Sequence, residues 1–271
     1  MTERRVDPHV LARRDAAEAA AQVKAFGVLP ARRRFPLRRA KFPVIAEVLA
    51  GLSRRLGRPP RVLDAGLGQA KLERVHAHAY PDAPVAWFGL DRHRYRLDLR
   101  RELPGIVRVQ GDVTALPYRA ASFDAAVCSY VLQHLARPEA ALAELARVVA
   151  PGGLVVVAVP NSPQPLKLLL ELLHPALVWF KRRVRGRRFD YGAQVQFWNL
   201  PRLRRAVEAA GLRPARWQGL GLVSGGPLGC LEDRAWWYRL HLRLGAAAPR
   251  LGQDLVVVAE VAPPAPAALE G

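Results

Sequence analysis

Arg61-Val62-Leu63-Asp64-Ala65-Gly66-Leu67-Gly68-Gln69-Ala70 is the stretch on which the fold of this chain turns. Val62 and Leu63 read as a short buried strand. Gly66 and Gly68 break it, and Gln69 to Ala79 reads as a helix. Strand, glycine turn and helix in that order let a backbone come close to a nucleotide-like ligand, because a Cβ at the turn would block the approach. The helix start adds N–H groups with partial positive charge. The same unit also serves as a plain strand-to-helix corner, so the residues after it have to decide between the two.

Downstream, apolar strands alternate with helical stretches. Val85 to Leu90 ends in Asp91, and Ile106 to Gln110 leads into Gly111-Asp112-Val113. Ser122 to Leu135 begins with a third apolar run, with Cys128, Ser129, Tyr130 and His134 toward its end. A helix from Glu139 to Ala150 precedes Pro151-Gly152-Gly153 and a strand from Leu154 to Val159. Arg213 to Leu220 and Asp254 to Val261 supply two more strands. Such alternation implies a parallel sheet with helices on both faces. Ligands in such sheets bind outside the carboxyl ends of the strands, where Asp64, Asp91, Asp112 and Ser129 fall.

The motifs V-L-D-A-G-L-G, G-L-D, G-D-V-T-A-L-P-Y, S-F-D-A-A-V-C-S-Y-V-L-Q-H-L and R-V-V-A-P-G-G-L stand in one order between about residues 61 and 160. In that set the chain resembles the class I S-adenosylmethionine-dependent methyltransferases, most closely the group called methyltransferase type 11. Ala70 stands where that family usually has a third glycine, a replacement expected to tighten the cofactor loop. The resemblance implies a doubly wound α/β fold, Rossmann-like, with a seven-stranded mostly parallel sheet, N-terminal helices and a helical cap insertion. The expected layout is an N-terminal extension (1–58), a cofactor-binding core (59–160), a cap (161–199), the rest of the sheet domain (200–262) and a disordered tail (263–271).

It also implies roles for residues. Gly66 and Gly68 bring backbone close to the methionine end of S-adenosylmethionine, and Asp64 meets its ammonium directly or through water. Asp91 accepts from the ribose diol, with Arg92 beside the adenine or ribose edge. Asp112 accepts from the adenine amino group, the Val113 N–H meets a ring nitrogen, and Ser129 borders the methionine end. A strand-end cap or turn residue is the plain alternative for Asp91 and Asp112. Methyl transfer chiefly needs alignment and exclusion of water. A general base is required only for an acceptor protonated at neutral pH. His134 is the first candidate base and Tyr130 the second. His76 and His78 read as bystanders on a surface helix, and His174, Tyr191 and Trp198 as the substrate side of the cap.

Composition sets limits on these readings. Two cysteines among 271 residues make neither a disulfide framework nor a metal site, and Cys128 reads as a small core residue. No apolar run reaches the roughly 18 residues of a membrane span. The N-terminus shows no apolar signal region, so a cytoplasmic protein is expected. Lys and Arg number 42 against 23 Asp and Glu, a formal charge of +19. That charge favours an anionic partner, yet an arginine-rich composition alone also produces it.

Leu166 to Phe180 is mostly apolar and runs straight into a basic cluster, Lys181 to Arg188. This suits either a cap over the site or a peripheral contact with an anionic membrane. The acceptor is therefore expected to be a small molecule or a lipid. An RNA methyltransferase is the alternative that the charge suggests, but no N-P-P-Y or D-P-P-Y signature follows the fourth strand and no Pro-Cys nucleophile motif is present. Nucleic-acid contact is expected to be weak and non-specific at most. A non-catalytic cofactor-binding module is the third reading.

Overall fold

The computed structural model describes residues 40–98, 105–162, 195–222, 231 and 234–262. The first 39 residues of the N-terminal extension, most of the cap including His174 and Tyr191, and the tail lie outside the described residues. The first described helix, α1 (Lys41–Leu56), carries Val44, Ile45, Leu49 and Leu52 on one buried face. It stops at Gly57, whose left-handed backbone (φ 63°) returns its N–H to the Arg54 carbonyl.

β1 (Arg61–Ala65), α2 (Lys71–Ala79), β2 (Ala86–Asp91), the short α3 (Arg94–Asp98), β3 (Ile106–Gln110) and β4 (Phe123–Ser129) come next. A single 3-10 turn at Leu132–His134 leads into α4 (Pro138–Val148), then β5 (Val149–Pro160). α5 (Leu200–Ala209), β6 (Leu212–Leu220), α6 (Ala235–Ala247) and β7 (Asp254–Val261) complete the order. Asn199 caps α5, its Oδ1 accepting from the Arg202 N–H at 3.0 Å.

The seven strands form one sheet in the order β3-β2-β1-β4-β5-β7-β6. β7 alone runs antiparallel to its neighbours, β5 and β6. The chain order reverses between β1 and β4, so the ligand crevice of such a sheet opens at the carboxyl end of β1.

Side chains alternate between the two faces of the sheet. Leu63, Ala126, Cys128, Val155, Val157 and Val257 pack with α4 and α5. Val62, Ala125, Val127, Val156, Ala158 and Val256 pack with α1 and α2, and Tyr238 and Leu242 of α6 join that face. Cys128 is a core residue, its thiol pushed up to about 12 by burial.

Three local readings differ from the sequence expectation. Helix α2 begins at Lys71, because residues 68–70 form the turn itself. β5 begins at Val149, which pairs with Phe123, and the Pro151–Gly153 stretch then bulges before Leu154 pairs with Ala125. His76 is not on the surface. It is buried, edge-on to Trp87 with ring centroids 5.7 Å apart, and burial lowers its pKa. Helical spacing, which puts residue 76 near Leu72 and Val75, fits this better than its polarity does.

Candidate functional site

The carboxyl edge of the sheet gathers the residues expected there. At the end of β1, Gly66 adopts φ 120°, a conformation that L side chains rarely take. A Cβ there would overlap Cγ2 of Val131, which lies just past β4. The close approach of the Val131 side chain to the Gly66 backbone brings the β1 turn and the β4 end together. The N–H groups of Gly66 and Leu67 both point inward to the Leu90 carbonyl, at 2.8 and 3.0 Å. The Gly68 N–H donates to Asp91 Oδ2 at 3.1 Å. These amides hold the turn onto the end of β2. The open, Cβ-free part of the turn is at Gly68, where a Cβ would meet only the Gly66 carbonyl at 3.7 Å.

Asp91 is buried, and its other oxygen accepts the His93 N–H at 2.9 Å. It both terminates β2 and clamps the glycine turn. Ala70 completes the turn at φ 48°, the left-handed region where the family usually places glycine. Its methyl is buried with Leu67 and Leu97. Alanine thus takes the backbone shape that glycine would have supplied.

Asp64 is buried at the same strand end, and Glu73 on α2 is buried beside it. Burial pushes the Asp64 carboxyl up to about 6. It pushes Glu73 well above its ordinary range, and the neighbouring Asp64 charge adds to this. Burial thus favours the neutral form of both carboxyls, and each disfavours ionisation of the other. The carboxyl partner of Glu73 is Asp64. The Ser129 hydroxyl, at the end of β4, is buried and unpartnered.

Beyond β3, Asp112 is exposed and Val113 buried. The Thr114 N–H and hydroxyl both donate to Asp112 Oδ1 at 2.8 Å, which holds the carboxyl below its usual range. Arg92 is exposed after β2, and its carbonyl accepts from Gln110 Nε2 at 3.2 Å. A separate cleft of about 290 Å³ opens between α3 and β3, lined by Arg94, Leu97, Asp98, Arg108 and Gln110. It contains none of the residues expected from sequence.

The two candidate bases part company. His134 ends the 3-10 turn and is exposed, with Gln133 Nε2 at 3.3 Å from its Nε2. Tyr130 has a left-handed backbone (φ 61°), and its phenol donates to Asp254 Oδ1. Burial and the Asp254 charge raise the Tyr130 pKa far above the ordinary phenol value. Tyr130 is a poor base in this setting.

Lys41 Nζ lies 3.1 Å from the centroid of the Tyr130 ring, and burial lowers its pKa to about 8. Lys41, Glu73 and Asp254 are the groups that sequence reading missed. Glu73 alone had a signal, its position on the inner face of α2. Trp198 was expected to line the cap, but it is fully buried in the core, with the Arg202 guanidinium 4.8 Å from its ring.

Among the described residues no group of three or more His, Cys, Asp or Glu could hold a metal ion. None of the described helices is long and apolar enough to cross a membrane.

The chain matches a known family model over residues 63–157, the span that holds the glycine turn, Asp91, Asp112 and His134. That model is described as a methyltransferase domain. The chain is similar to a demethylmenaquinone methyltransferase of Renibacterium salmoninarum, 38% identical over 103 residues, which cover 38% of this chain and 42% of that one. It is also similar to a trans-aconitate 2-methyltransferase of Methylobacterium nodulans, 35% identical over 108 residues, 40% of this chain and 41% of that one. The chain thus spans about two fifths of the length of these two curated relatives.

Among solved structures, the 1,6-didemethyltoxoflavin-N1-methyltransferase of Burkholderia thailandensis shares the fold, with a TM-score of 0.54 at 17% identity. That match covers 97% of this chain and 94% of the other, which was solved with 1,6-didemethyltoxoflavin and S-adenosylhomocysteine bound.

Proposed function

We propose that the chain is an S-adenosylmethionine-dependent methyltransferase acting on a small-molecule or lipid-like acceptor from the cytoplasmic side, in the lipid case at a membrane surface. One observation carries this reading. The Gly66 turn, Asp64, Asp91, Asp112 and Ser129 converge at the carboxyl edge, with Gly66 against Val131 and Gly68 held by Asp91.

The residues fit the cofactor. Gly68 (φ 52°) leaves open space where a Cβ would stand, with only the Gly66 carbonyl at 3.7 Å, and Ser129 keeps an unpaired buried hydroxyl. Asp64 faces the ammonium of the methionine end and Asp91 the ribose diol. Asp112 and the Val113 N–H meet the adenine, and Arg92 covers its outer edge. When bound, S-adenosylmethionine supplies an activated methyl group for displacement by the acceptor's nucleophile.

The chain's own task is to align that acceptor and keep water out. For an acceptor that must lose a proton, His134 is the candidate base. Tyr130 holds its own proton and instead shapes the β4 end. The relatives named for demethylmenaquinone and trans-aconitate support an acceptor among small molecules, apolar or acidic.

Isothermal calorimetry tests the reading. S-adenosylhomocysteine should bind one site per chain. Asp91→Ala should weaken it by roughly 1.5–3 kcal/mol, the scale of hydrogen bonds to a charged group. Labelled cofactor should then transfer methyl to a quinone or other lipid fraction. Absence of binding by the folded protein would remove the enzyme reading.

A further inference from the structure

Helix α6 leaves an apolar stripe in solvent. Trp236, Leu240 and Leu244 are spaced at i, i+4 and i+8, within about 80° of arc on the helix surface. They are 56%, 38% and 45% exposed. Arg239 and Arg243 flank the stripe, both exposed, and no carboxylate among the described residues pairs with them. The helix sequence, AWWYRLHLRLGAA, contains no Asp or Glu. Its opposite side is committed to the fold. His241 and Gly245 are buried, Gln218 Nε2 donates to the Leu242 carbonyl at 2.8 Å, and Gly245 lies so close to Gly219 that a Cβ would overlap the Gly219 carbonyl.

The place of this helix in the topology matters. β6 runs parallel to β5, because each is antiparallel to β7. Leu220 and Asp254, which pair with each other, therefore stand at the carboxyl edge of the sheet. α6 is the excursion between them, and its C-terminal turn packs on the end of β6. The Leu244 end of the stripe thus adjoins the edge at which the Gly66 turn and Tyr130 sit, while the Tyr238 turn packs toward Tyr80.

We infer that α6 is a docking helix for an anionic bilayer surface, with Trp236, Leu240 and Leu244 entering the acyl boundary and Arg239 and Arg243 meeting acidic headgroups. An apolar stripe bordered by arginines, with no acid on the helix, is complementary to that surface and not to an acidic soluble protein, which would leave the Trp and Leu side chains unmatched. The chain's charge of +19 adds a long-range attraction to the same target. The purpose of docking rests on the lipid-acceptor reading: it would present the carboxyl edge to an acceptor dissolved in the membrane.

The test is co-sedimentation of the full chain with vesicles of phosphatidylcholine alone or containing phosphatidylglycerol, at low and physiological salt. Binding should require phosphatidylglycerol and fall with salt. Arg239→Gln with Arg243→Gln should weaken it by roughly 25-fold at low salt. Trp236→Gln with Leu240→Gln should weaken it at least about tenfold. Both variants should keep the far-UV circular dichroism and the S-adenosylhomocysteine affinity of the parent.

No sedimentation with phosphatidylglycerol vesicles at low salt overturns the inference. So does binding that survives both α6 variants but is lost when Arg182, Arg183 and Arg185 become Gln. A dimer that dissociates in the Trp236→Gln, Leu240→Gln variant would assign the stripe to a second copy instead. Vesicle binding without S-adenosylhomocysteine binding would remove the enzyme reading and leave the docking helix standing.

Discussion

Ala70 shows how a single residue can depart from a family pattern and keep its geometry. Its φ of 48° costs an L-residue roughly 1–2 kcal/mol that glycine would not pay, offset here by a fully buried methyl. Ala70→Gly should therefore stabilise the fold by about 0.5–1 kcal/mol in urea denaturation, with cofactor affinity kept; a loss of stability would mean that the methyl contact outweighs the strain. Asp64 and Glu73 make a second residue-scale claim. Both carboxyls have folded pKa values above the ordinary range, so the stability they confer is full below about pH 4 and is lost as pH rises. For Asp64 the loss runs through about pH 6. Glu73 extends it to higher pH, since its carboxyl is raised further. Glu73→Gln removes that second part. Its urea midpoint should exceed the parent's at pH 8 by an amount worth about 1–3 kcal/mol and approach it at pH 5. An equal gap at both pH values would mean that Glu73 does not titrate in the buried pair.

At the scale of elements, the ends of α1, β4 and β7 meet in one polar cluster. Lys41 begins α1, Tyr130 comes directly after β4 and Asp254 opens β7. The phenol holds Asp254, the ammonium lies over the ring, and the Tyr130 N–H donates to the Ala158 carbonyl at 2.8 Å. Tyr130→Phe should cost about 1–3 kcal/mol in chemical denaturation, because it leaves a buried carboxyl without its donor. A cost below about 0.3 kcal/mol would mean that this bond is not maintained in solution. Nothing in the sequence announces this cluster: its members are separated by about 90 and 120 residues and none belongs to a recognisable spacing. The strands and their order were legible for the opposite reason. Val62-Leu63, Phe88-Gly89-Leu90 and Val155-Val156-Val157 are short apolar runs, each ended by a turn residue or an acid, so period and punctuation agree. The glycine turn was legible because only particular residues tolerate φ near 120°, whereas the inward use of its N–H groups depends on where Leu90 and Asp91 arrive from β2.

For the whole molecule, the formal charge of +19 understates the cationic character of the surface. Asp64, Glu73, Asp91 and Asp254 are buried, and burial raises three of them toward the neutral form. Some exposed arginines are neutralised locally, as when Arg58 grips both oxygens of Asp124 at 2.8 and 2.7 Å or Arg147 pairs with Glu144. Other exposed arginines, such as Arg239 and Arg243, present cations, and no base-reading element is recognisable among the described residues. Phosphate contacts alone supply affinity that carries no sequence information. Single-stranded RNA should therefore bind with a Kd of about 1–100 µM at physiological salt, and log affinity should fall linearly with log salt. In fluorescence anisotropy, scrambled RNAs of one length should give superimposable curves, and Arg239→Gln with Arg243→Gln should reduce the salt slope by about 1.4 units at most, since each neutralised phosphate of a single strand contributes about 0.7. Nanomolar binding to one sequence at physiological salt would point to base contacts and place the acceptor among nucleic acids instead of small molecules or lipids.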